Sequence, residues 1–282
     1  MVNAEGKSFL WILASQPLMP RVLSRDLGRT WEELPPLGIP NVMTFSTIIP
    51  KNPGKQDGCY LGFYHHLCNA DGRVVNGEPA GAGNYLEVAM AETSDAGMTW
   101  SKPRAVATVA GKSPCEPCAF WSPDGKEIAV LLRENSGKGG ENYRALMMFS
   151  QDHGATWSTP VPTSWELTGH RHIGVTLPDG RLFFAFRDVA PGSKLGEKLG
   201  VKNGGAFTGW VGSYEDLKSA KPGDCRIKLL QSYSGRDQGY PGVFVCKDGT
   251  VVALTYIKYD DGPNKHSVVA TRFRLEELPP KK

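Results

Sequence analysis

The sequence lacks the long apolar runs that would place a protein in a membrane. No run approaches eighteen apolar residues, so no transmembrane helix is predicted. The opening residues, MVNAEGKSFLWILASQ, have no basic start and no small-residue cleavage site. No signal peptide is therefore predicted, and the sequence leaves the compartment open: the chain as given would be cytoplasmic. A secreted or periplasmic protein whose leader has been trimmed would begin in the same way.

A large excess of charge of either sign is also missing. The formal net charge is +3 for 282 residues, which is too small to indicate nucleic acid or an anionic membrane as a partner. Hydrophobic residues make up 40% of the chain and charged residues 22%, as in ordinary globular proteins. This length suits one large all-β domain over residues 1–282. Composition does not indicate an oligomeric state.

Closely spaced cysteines are scarce. Of the six cysteines only Cys115 and Cys118, in CEPC, are near neighbours. One C-x-x-C without a second pair is a weak zinc signal, and the helical context of a redox motif is absent. Small buried thiols in strands explain these residues better. Neither a metal nor another cofactor is predicted.

What the sequence does contain is a repeated octet. SRDLGRTW at 24–31, TSDAGMTW at 93–100 and SQDHGATW at 150–157 all fit [ST]-x-D-x-G-x-T-W. An aspartate there can accept hydrogen bonds from the amides of its own turn, and the glycine permits positive φ. Asp26, Asp95 and Asp152 are therefore predicted to be structural, with the tryptophan packed between neighbouring repeats.

A second repeated signal is Asp-Gly between apolar runs, at 57–58, 124–125, 179–180 and 248–249. Asp-Gly beside β-rich runs such as EIAVLLR is typical of type I′ hairpins. The turns are about 55–70 residues apart, which is room for four short strands and their loops. Four-stranded units repeated radially form a β-propeller. Five units are visible, the first without its inner strand, and a sixth is allowed if a blade is missing or shared.

The antiparallel strands of such a blade predict which side carries the ligand site. The Asp-Gly turns and the octets lie on one side, so the other side holds the starts of first and third strands and the ends of second strands. Guanidinium groups bind carboxylates bidentately, so a side rich in arginine, histidine and tyrosine predicts an anionic ligand. The residues at these positions are Arg21, Asn41, His65, His66, Tyr85, Glu116, Arg133, Glu134, Tyr143, Arg144, His170, Arg171, His172, Arg187, Asp188, Tyr240, Lys258 and His266.

The octets resemble the Asp boxes of bacterial neuraminidases, and most of the chain resembles the sialidase superfamily at the level of its repeats. CEPCAFWSPDGKEIAVLLREN is similar to the family's glutamate before a strand, Asp-Gly turn and arginine closing the next strand. GYPGVFVCKDGTVVALTYI is similar to the last-blade segment that carries the nucleophilic tyrosine. The resemblance implies an all-β, sialidase-like β-propeller of four-stranded antiparallel blades that hydrolyses a terminal acidic sugar.

By this resemblance Tyr240 is the nucleophile, Glu116 its partner, and Arg133 a member of the carboxylate-binding arginine triad. Asp71, after GFYHHLCNA, is the nearest match to the acid/base aspartate, and a histidine is the alternative proton donor, since His65 and His66 lie in the same segment. The family's first triad arginine has no counterpart, because the comparable segment is GIPNVMTF. The other expected substrate-binding residues are Arg187, Arg171, Arg144, His65, His66 and His172.

Three functions fit these expectations, and each has an acidic glycan as partner. In the preferred one, a tyrosine with an ordinary pKa near 10 passes its proton to a carboxylate and attacks the sugar. The alternative is a polysaccharide lyase on uronate-containing glycans, in which arginines neutralise the carboxylate and a base abstracts the C5 proton. The candidate bases are His65, His66, His170, His172 and Tyr240. The third is a glycan-binding propeller without catalysis.

Overall fold

The computed structural model describes residues 1–15, 18–75, 83–136, 144–188, 206–232, 238–258 and 266–281. Tyr143, one of the residues predicted for the ligand side, lies outside these ranges. Nineteen β-strands, one five-residue helix and one turn of 3-10 helix form the regular structure of the described residues. The all-β prediction is therefore confirmed.

The first three sheets follow one another along the chain. The first has the order β1-β2-β3: Leu10–Leu13, Arg21–Ser24 and Glu32–Leu34. The second contains β4 (Met43–Pro50), β5 (Tyr60–Cys68), a short β6 (Val74–Val75) paired with β5, β7 (Tyr85–Thr93) and β8 (Arg104–Ala107). The third contains β9 (Pro114–Trp121), β10 (Ile128–Glu134), β11 (Leu146–Ser150) and β12 (Val161–Pro162).

The last two sheets repeat the same sequential pattern. The fourth contains β13 (Gly169–Thr176), β14 (Leu182–Asp188), β15 (Ala206–Gly212) and β16 (Cys225–Gln231), with helix α1 (Tyr214–Lys218) between the last two. The fifth contains β17 (Gly239–Val245), β18 (Val251–Ile257) and β19 (Ser267–Phe273), followed by the 3-10 turn Leu275–Glu277. The first sheet begins at a second-strand position, as predicted.

The chain divides into two compact units. The first comprises residues 1–130 and 148–160, and the second comprises residues 131–147 and 161–282. In the second unit a core lies between the fourth and fifth sheets, where the rings of Phe183 and Phe273 meet edge-to-face at 5.1 Å. In the first unit, Phe9 and Leu23 pack with Ala96. A single domain over 1–282 stays a prediction.

The Asp-Gly turns are where the sequence places them, but their type differs. In three of them the glycine amide donates to the carbonyl three residues earlier, at 2.8 Å for Gly125, 2.9 Å for Gly180 and 3.0 Å for Gly249. Only the glycine has positive φ, whereas type I′ needs it at both central residues. The turns are therefore type I turns followed by a left-handed glycine, and the type I′ prediction was wrong.

The octets join β2 to β3, β7 to β8 and β11 to β12, the last two strands of each of the first three sheets. These are the third and fourth positions of a blade, as predicted, because the first sheet begins at a second-strand position. In each octet, the first residue's hydroxyl donates to the aspartate (Ser24 to Asp26, 2.8 Å), and the threonine amide donates to the same carboxylate (Thr30 to Asp26, 2.9 Å). The same bonds recur around Asp95 and Asp152. These contacts are local to the turn, as expected for structural aspartates.

Within the first unit, each later octet also bonds to the preceding sheet. Trp11 Nε1 donates to the Ala96 carbonyl at 3.0 Å, and Arg21 Nη1 donates to the Met98 carbonyl at 2.6 Å. Arg21 was predicted to face the ligand side, but its guanidinium group reaches an octet instead. In the described part of the chain, no helix has the length and apolarity that crossing a membrane would need.

Candidate functional site

Three predicted site residues share an unusual backbone conformation. Glu116, Arg171 and Tyr240 have φ of 47°, 61° and 46°, near the start of β9, β13 and β17. Left-handed backbone is uncommon outside glycine and is concentrated at functional positions. Arg171 in β13 and Tyr240 in β17 each lie at a break in strand register. Such bulges change the direction in which a side chain points. The first strands of three successive sheets thus start with the same local irregularity.

The second unit carries a basic cluster, defined here as Arg133, Arg171 and Arg187. Arg171 Nη1 and Arg187 Nη1 donate to the same acceptor, the carbonyl of Gln238, at 3.2 and 3.4 Å. Arg187 Nη2 lies 3.1 Å from His170 Nδ1. Arg171 on β13 and Arg187 on the neighbouring β14 therefore share one backbone acceptor, and Arg187 also contacts an imidazole nitrogen.

Tyr240 lies directly against this cluster. Its side chain is exposed (44%), and the guanidinium carbon of Arg171 is 3.9 Å from its ring centroid. Arg171 Nη1 also donates to the hydroxyl of Tyr256. Gly239, with φ +128°, gives the space for this arrangement, because a Cβ there would be 2.8 Å from Arg171 Cδ. The cation is thus fixed over an exposed phenol ring.

His170 is neutral among these charges. Burial lowers its pKa well below the ordinary value, and the positive charges of Arg133, Arg187, His172 and Arg171 lower it further. A guanidinium group can only donate, so His170 Nδ1 accepts from Arg187 and its proton is on Nε2. The imidazole therefore positions Arg187 and adds no positive charge of its own.

Arg133, the third member of the basic cluster, and Arg144, which lies outside it, have different surroundings. Arg133 Nη2 donates to Asn135 Oδ1 at 2.6 Å, just after β10. Arg144 Nε donates to the Thr163 carbonyl at 2.9 Å, with its guanidinium carbon 5.8 Å from the ring centroid of Trp165. Arg144 is therefore anchored to the segment after β12.

His172 is buried and holds the loop before β13. Its Nε2 lies 2.8 Å from the Leu167 carbonyl, so Nε2 carries the proton and donates. Its ring packs 5.0 Å from that of Phe186. Its contacts are those of a buried structural side chain.

In the first unit the structure joins Glu116 to His65. The Glu116 amide donates to His65 Nδ1 at 3.3 Å, and both residues are buried. This bond spans the second and third sheets and fixes the backbone at the strained φ of Glu116. His66, the next residue of β5, points to the opposite face, where its Nε2 is 2.9 Å from Glu87 Oε1. The two histidines therefore occupy different surroundings.

Asp71 lies in an exposed turn between β5 and β6. The side chain of Asn69 closes this turn, because its Oδ1 accepts from the amides of Asp71 (3.1 Å) and Arg73 (2.9 Å). The acid/base role given to Asp71 by resemblance stays a prediction.

Two residues that the sequence did not single out complete the site. Gln238 supplies the carbonyl between Arg171 and Arg187, and Tyr256 accepts from Arg171. Every residue has a backbone carbonyl, so the amino-acid type at position 238 could not show that this carbonyl would accept from two arginines. Tyr256 is the penultimate residue of β18, near a second-strand end, and that position was a signal that could have been used.

The fold and this site define the class of protein. The sequence matches the BNR repeat-like domain family over residues 11–252, which is most of the chain. The chain belongs to that family. Among curated proteins, no sequence matches it significantly.

Solved structures support the same fold. A protein of unknown function from Dyadobacter fermentans matches with a TM-score of 0.63 and 19% identity, over 95% of this chain and 68% of that one. The intramolecular trans-sialidase from Ruminococcus gnavus matches with a TM-score of 0.55 and 18% identity, over 93% of this chain and 52% of that one. The leech intramolecular trans-sialidase matches with a TM-score of 0.58 and 16% identity, over 92% of this chain and 36% of that one. The fold is a sialidase-like, five-bladed BNR β-propeller, and the chain spans about half or less of the two trans-sialidases.

Proposed function

We propose that the protein is a glycoside hydrolase that removes a terminal acidic sugar, sialic acid or a related one, with Tyr240 as nucleophile. The observation that carries this proposal is the exposed Tyr240 ring under the guanidinium group of Arg171, beside Arg187. The sialidases among the structural neighbours agree with a glycan substrate.

The basic cluster would bind the sugar carboxylate. Planar guanidinium groups match a carboxylate with paired, charge-assisted hydrogen bonds. The Gln238 carbonyl and the neutral His170 fix the Arg171 and Arg187 planes before any ligand arrives. Binding therefore requires little ordering of these side chains, which favours affinity.

Tyr240 would attack the anomeric carbon and break its bond to the glycosidic oxygen, which leaves with a proton from the general acid; water then releases the sugar from the tyrosine. Sialidases use a tyrosine where most retaining glycosidases use a second carboxylate. A neutral nucleophile approaches an anomeric centre that bears a carboxylate without charge repulsion. The Arg171 cation over the ring stabilises the phenolate as the proton leaves. Glu116 as the proton acceptor and Asp71 as the proton donor rest on family resemblance.

The test is turnover of fluorogenic sialosides and uronides by the wild type, Tyr240→Phe and Tyr214→Phe. Tyr214 lies in α1, between β15 and β16, so its hydroxyl serves as the control. Release of the fluorophore should be lost in Tyr240→Phe and kept in Tyr214→Phe. Unchanged turnover in Tyr240→Phe would remove Tyr240 from the mechanism.

A uronate lyase is the second candidate, because the guanidinium groups beside the exposed Tyr240 could neutralise a uronate carboxylate while a neighbouring base removes the C5 proton. Arg187 already donates to His170 Nδ1, so Tyr240 is the better base for the C5 proton in such a reaction. A lyase makes an unsaturated product that absorbs in the ultraviolet. One absorbance scan on acidic polysaccharides separates the two reactions. Glycan binding without turnover over long incubation would instead identify a binding propeller.

A further inference from the structure

The second sheet holds a group of potential metal ligands away from the basic cluster. His66, Cys68 and Glu87 each offer one ligand atom, and these atoms lie within 4.8 Å of one another. His66 Nε2 is 2.9 Å and Cys68 Sγ is 3.8 Å from the same oxygen, Glu87 Oε1. Among the described residues no other group of three histidine, cysteine or acidic side chains is as close.

The register of the sheet produces this arrangement. His66 and Cys68 are two residues apart on β5, so their side chains project from one face. Glu87 on β7 is directly opposite His66, and Tyr85 is directly opposite Cys68. Directly opposed side chains share a face and have Cβ atoms about 5 Å apart. Three ligands therefore converge without any loop rearrangement.

The ligands are enclosed and held by neighbouring groups. His66 and Cys68 are buried, and the Glu87 side chain is 13% exposed. Thr108 Oγ1 donates to Glu87 Oε2, the oxygen that does not face His66. The Tyr64 ring lies edge-on to the His66 ring at 5.7 Å. Such outer contacts orient ligands in metal sites, and Glu87 connects the site with solvent.

We propose that His66 Nε2, Cys68 Sγ and a Glu87 carboxylate oxygen bind a divalent transition-metal ion, with Zn²⁺ preferred. Nitrogen, sulfur and oxygen donors are the zinc ligand set, and a thiolate disfavours Mg²⁺ and Ca²⁺. Tetrahedral zinc with bonds of about 2.0–2.3 Å separates its ligand atoms by roughly 3.3–3.6 Å. The distances of 2.9 and 3.8 Å need shifts of only a few tenths of an ångström.

Binding exchanges a proton for the ion. The Cys68 thiol gives its proton to solvent as the sulfur–metal bond forms. His66 Nε2 donates to Glu87 before the ion binds, so the imidazole must change, by exchange with solvent, to the tautomer with its proton on Nδ1, which frees the Nε2 lone pair for the ion. The His66–Glu87 hydrogen bond is then replaced by two metal bonds. Three protein ligands leave one position of a tetrahedron for water. The site is independent of the proposed hydrolysis and is tested without a sugar.

The experiment is titration of EDTA-treated, desalted protein with Co²⁺, which reports a thiolate ligand by a charge-transfer band in the near ultraviolet. The wild type should show this band, saturating at one equivalent, and Zn²⁺ should displace it. Cys68→Ser should lose the band. Cys59→Ser and Cys115→Ser are the matched controls and should keep it, because neither cysteine belongs to the group.

Two results would overturn the site. One is the absence of a stoichiometric band in the wild type, and the other is a band that persists in Cys68→Ser. Circular dichroism checks that each variant is folded. If Cys68→Ser is not folded, Glu87→Gln decides, because it keeps the shape of the side chain and removes its charge. It should weaken Co²⁺ binding roughly tenfold or more, and unchanged affinity would also overturn the site.

Discussion

The guanidinium carbon of Arg171 lies 3.9 Å from the centroid of the Tyr240 ring. Both residues have positive φ near the start of the first strand of their own sheet. The proposed carboxylate-binding group and the predicted nucleophile therefore share the same backbone conformation. In the proposed reaction, their contact would bring the bound carboxylate close to the carbon that is attacked.

Gly239→Ala should weaken acidic-ligand binding. A Cβ at residue 239 would lie 2.8 Å from Arg171 Cδ, so Arg171 must move off the Tyr240 ring. We expect KM for an acidic glycoside to rise about tenfold or more, equivalent to about 1.4 kcal/mol. Gly249→Ala is the control, since Gly249 also has positive φ but has no atom within 4 Å of such a Cβ. Similar KM changes in both variants would indicate backbone strain alone.

Glu116→Gln should lower kcat if Glu116 is the base. The expected loss is roughly 10²–10⁴-fold, the usual contribution of a positioned acid or base. The Glu116 amide, which bonds to His65, is unchanged, so the fold should be kept. Steady-state kinetics beside a melting curve tests both points, and an active Gln variant would exclude the role.

Asp152→Ala should affect stability rather than turnover. Asp152 accepts from Ser150 Oγ and the Thr156 amide within its own octet. Losing these bonds should lower Tm by about 2–4 °C for a chain of this size, with kcat per folded molecule unchanged. Glu5→Ala, at an exposed turn, is the control. Loss of activity in folded Asp152→Ala would place the chemistry on the octet side.

Stability should fall in acid because of the octets. Hydrogen bonds from the side chain and amide of Thr30 lower the pKa of Asp26 to about 2, and those from Thr156 do the same for Asp152. The unfolded value is about 3.9. A depressed pKa stabilises the fold above the unfolded value, and this stabilisation is lost as pH falls from about 4 to 2. The measurement is urea unfolding at pH 2–6 of the wild type and of the double variant Asp26→Asn/Asp152→Asn. The free energy of unfolding should fall less steeply with decreasing pH in the double variant than in the wild type. Equal slopes would contradict the assignment.

The repeats could be predicted from the sequence because each is local. All the partners of Asp26 lie between Ser24 and Thr30. The same locality explains the error in turn type, since Asp-Gly fits both a type I′ turn and a type I turn followed by a left-handed glycine. Telling them apart requires the φ of the aspartate.

The sites depend on distant pairings, so the sequence could indicate them only in part. Arg171 and Tyr240 were predicted by family resemblance or strand position, but the Gln238 carbonyl that holds Arg171 belongs to no side chain. Only CEPC was considered as a metal motif in the sequence, and no metal was predicted. The register of β5 and β7 instead brings Glu87 to His66 and Cys68, a pairing that no short motif encodes.

The most direct test of the proposed function is the affinity for an acidic sugar against that for its methyl ester. These affinities can be measured by calorimetry on the Tyr240→Phe variant, in which turnover should be prevented. The ligands are a sialoside, a glucuronide and the methyl ester of each. At least one acid should bind about tenfold or more tightly than its ester, because esterification removes the charge that guanidinium groups recognise. Arg187→Ala should abolish the difference, whereas Arg272→Ala, on the exposed face of β19, should keep it. Equal binding of acid and ester, or a difference that survives Arg187→Ala, would contradict an acidic-sugar site at the basic cluster.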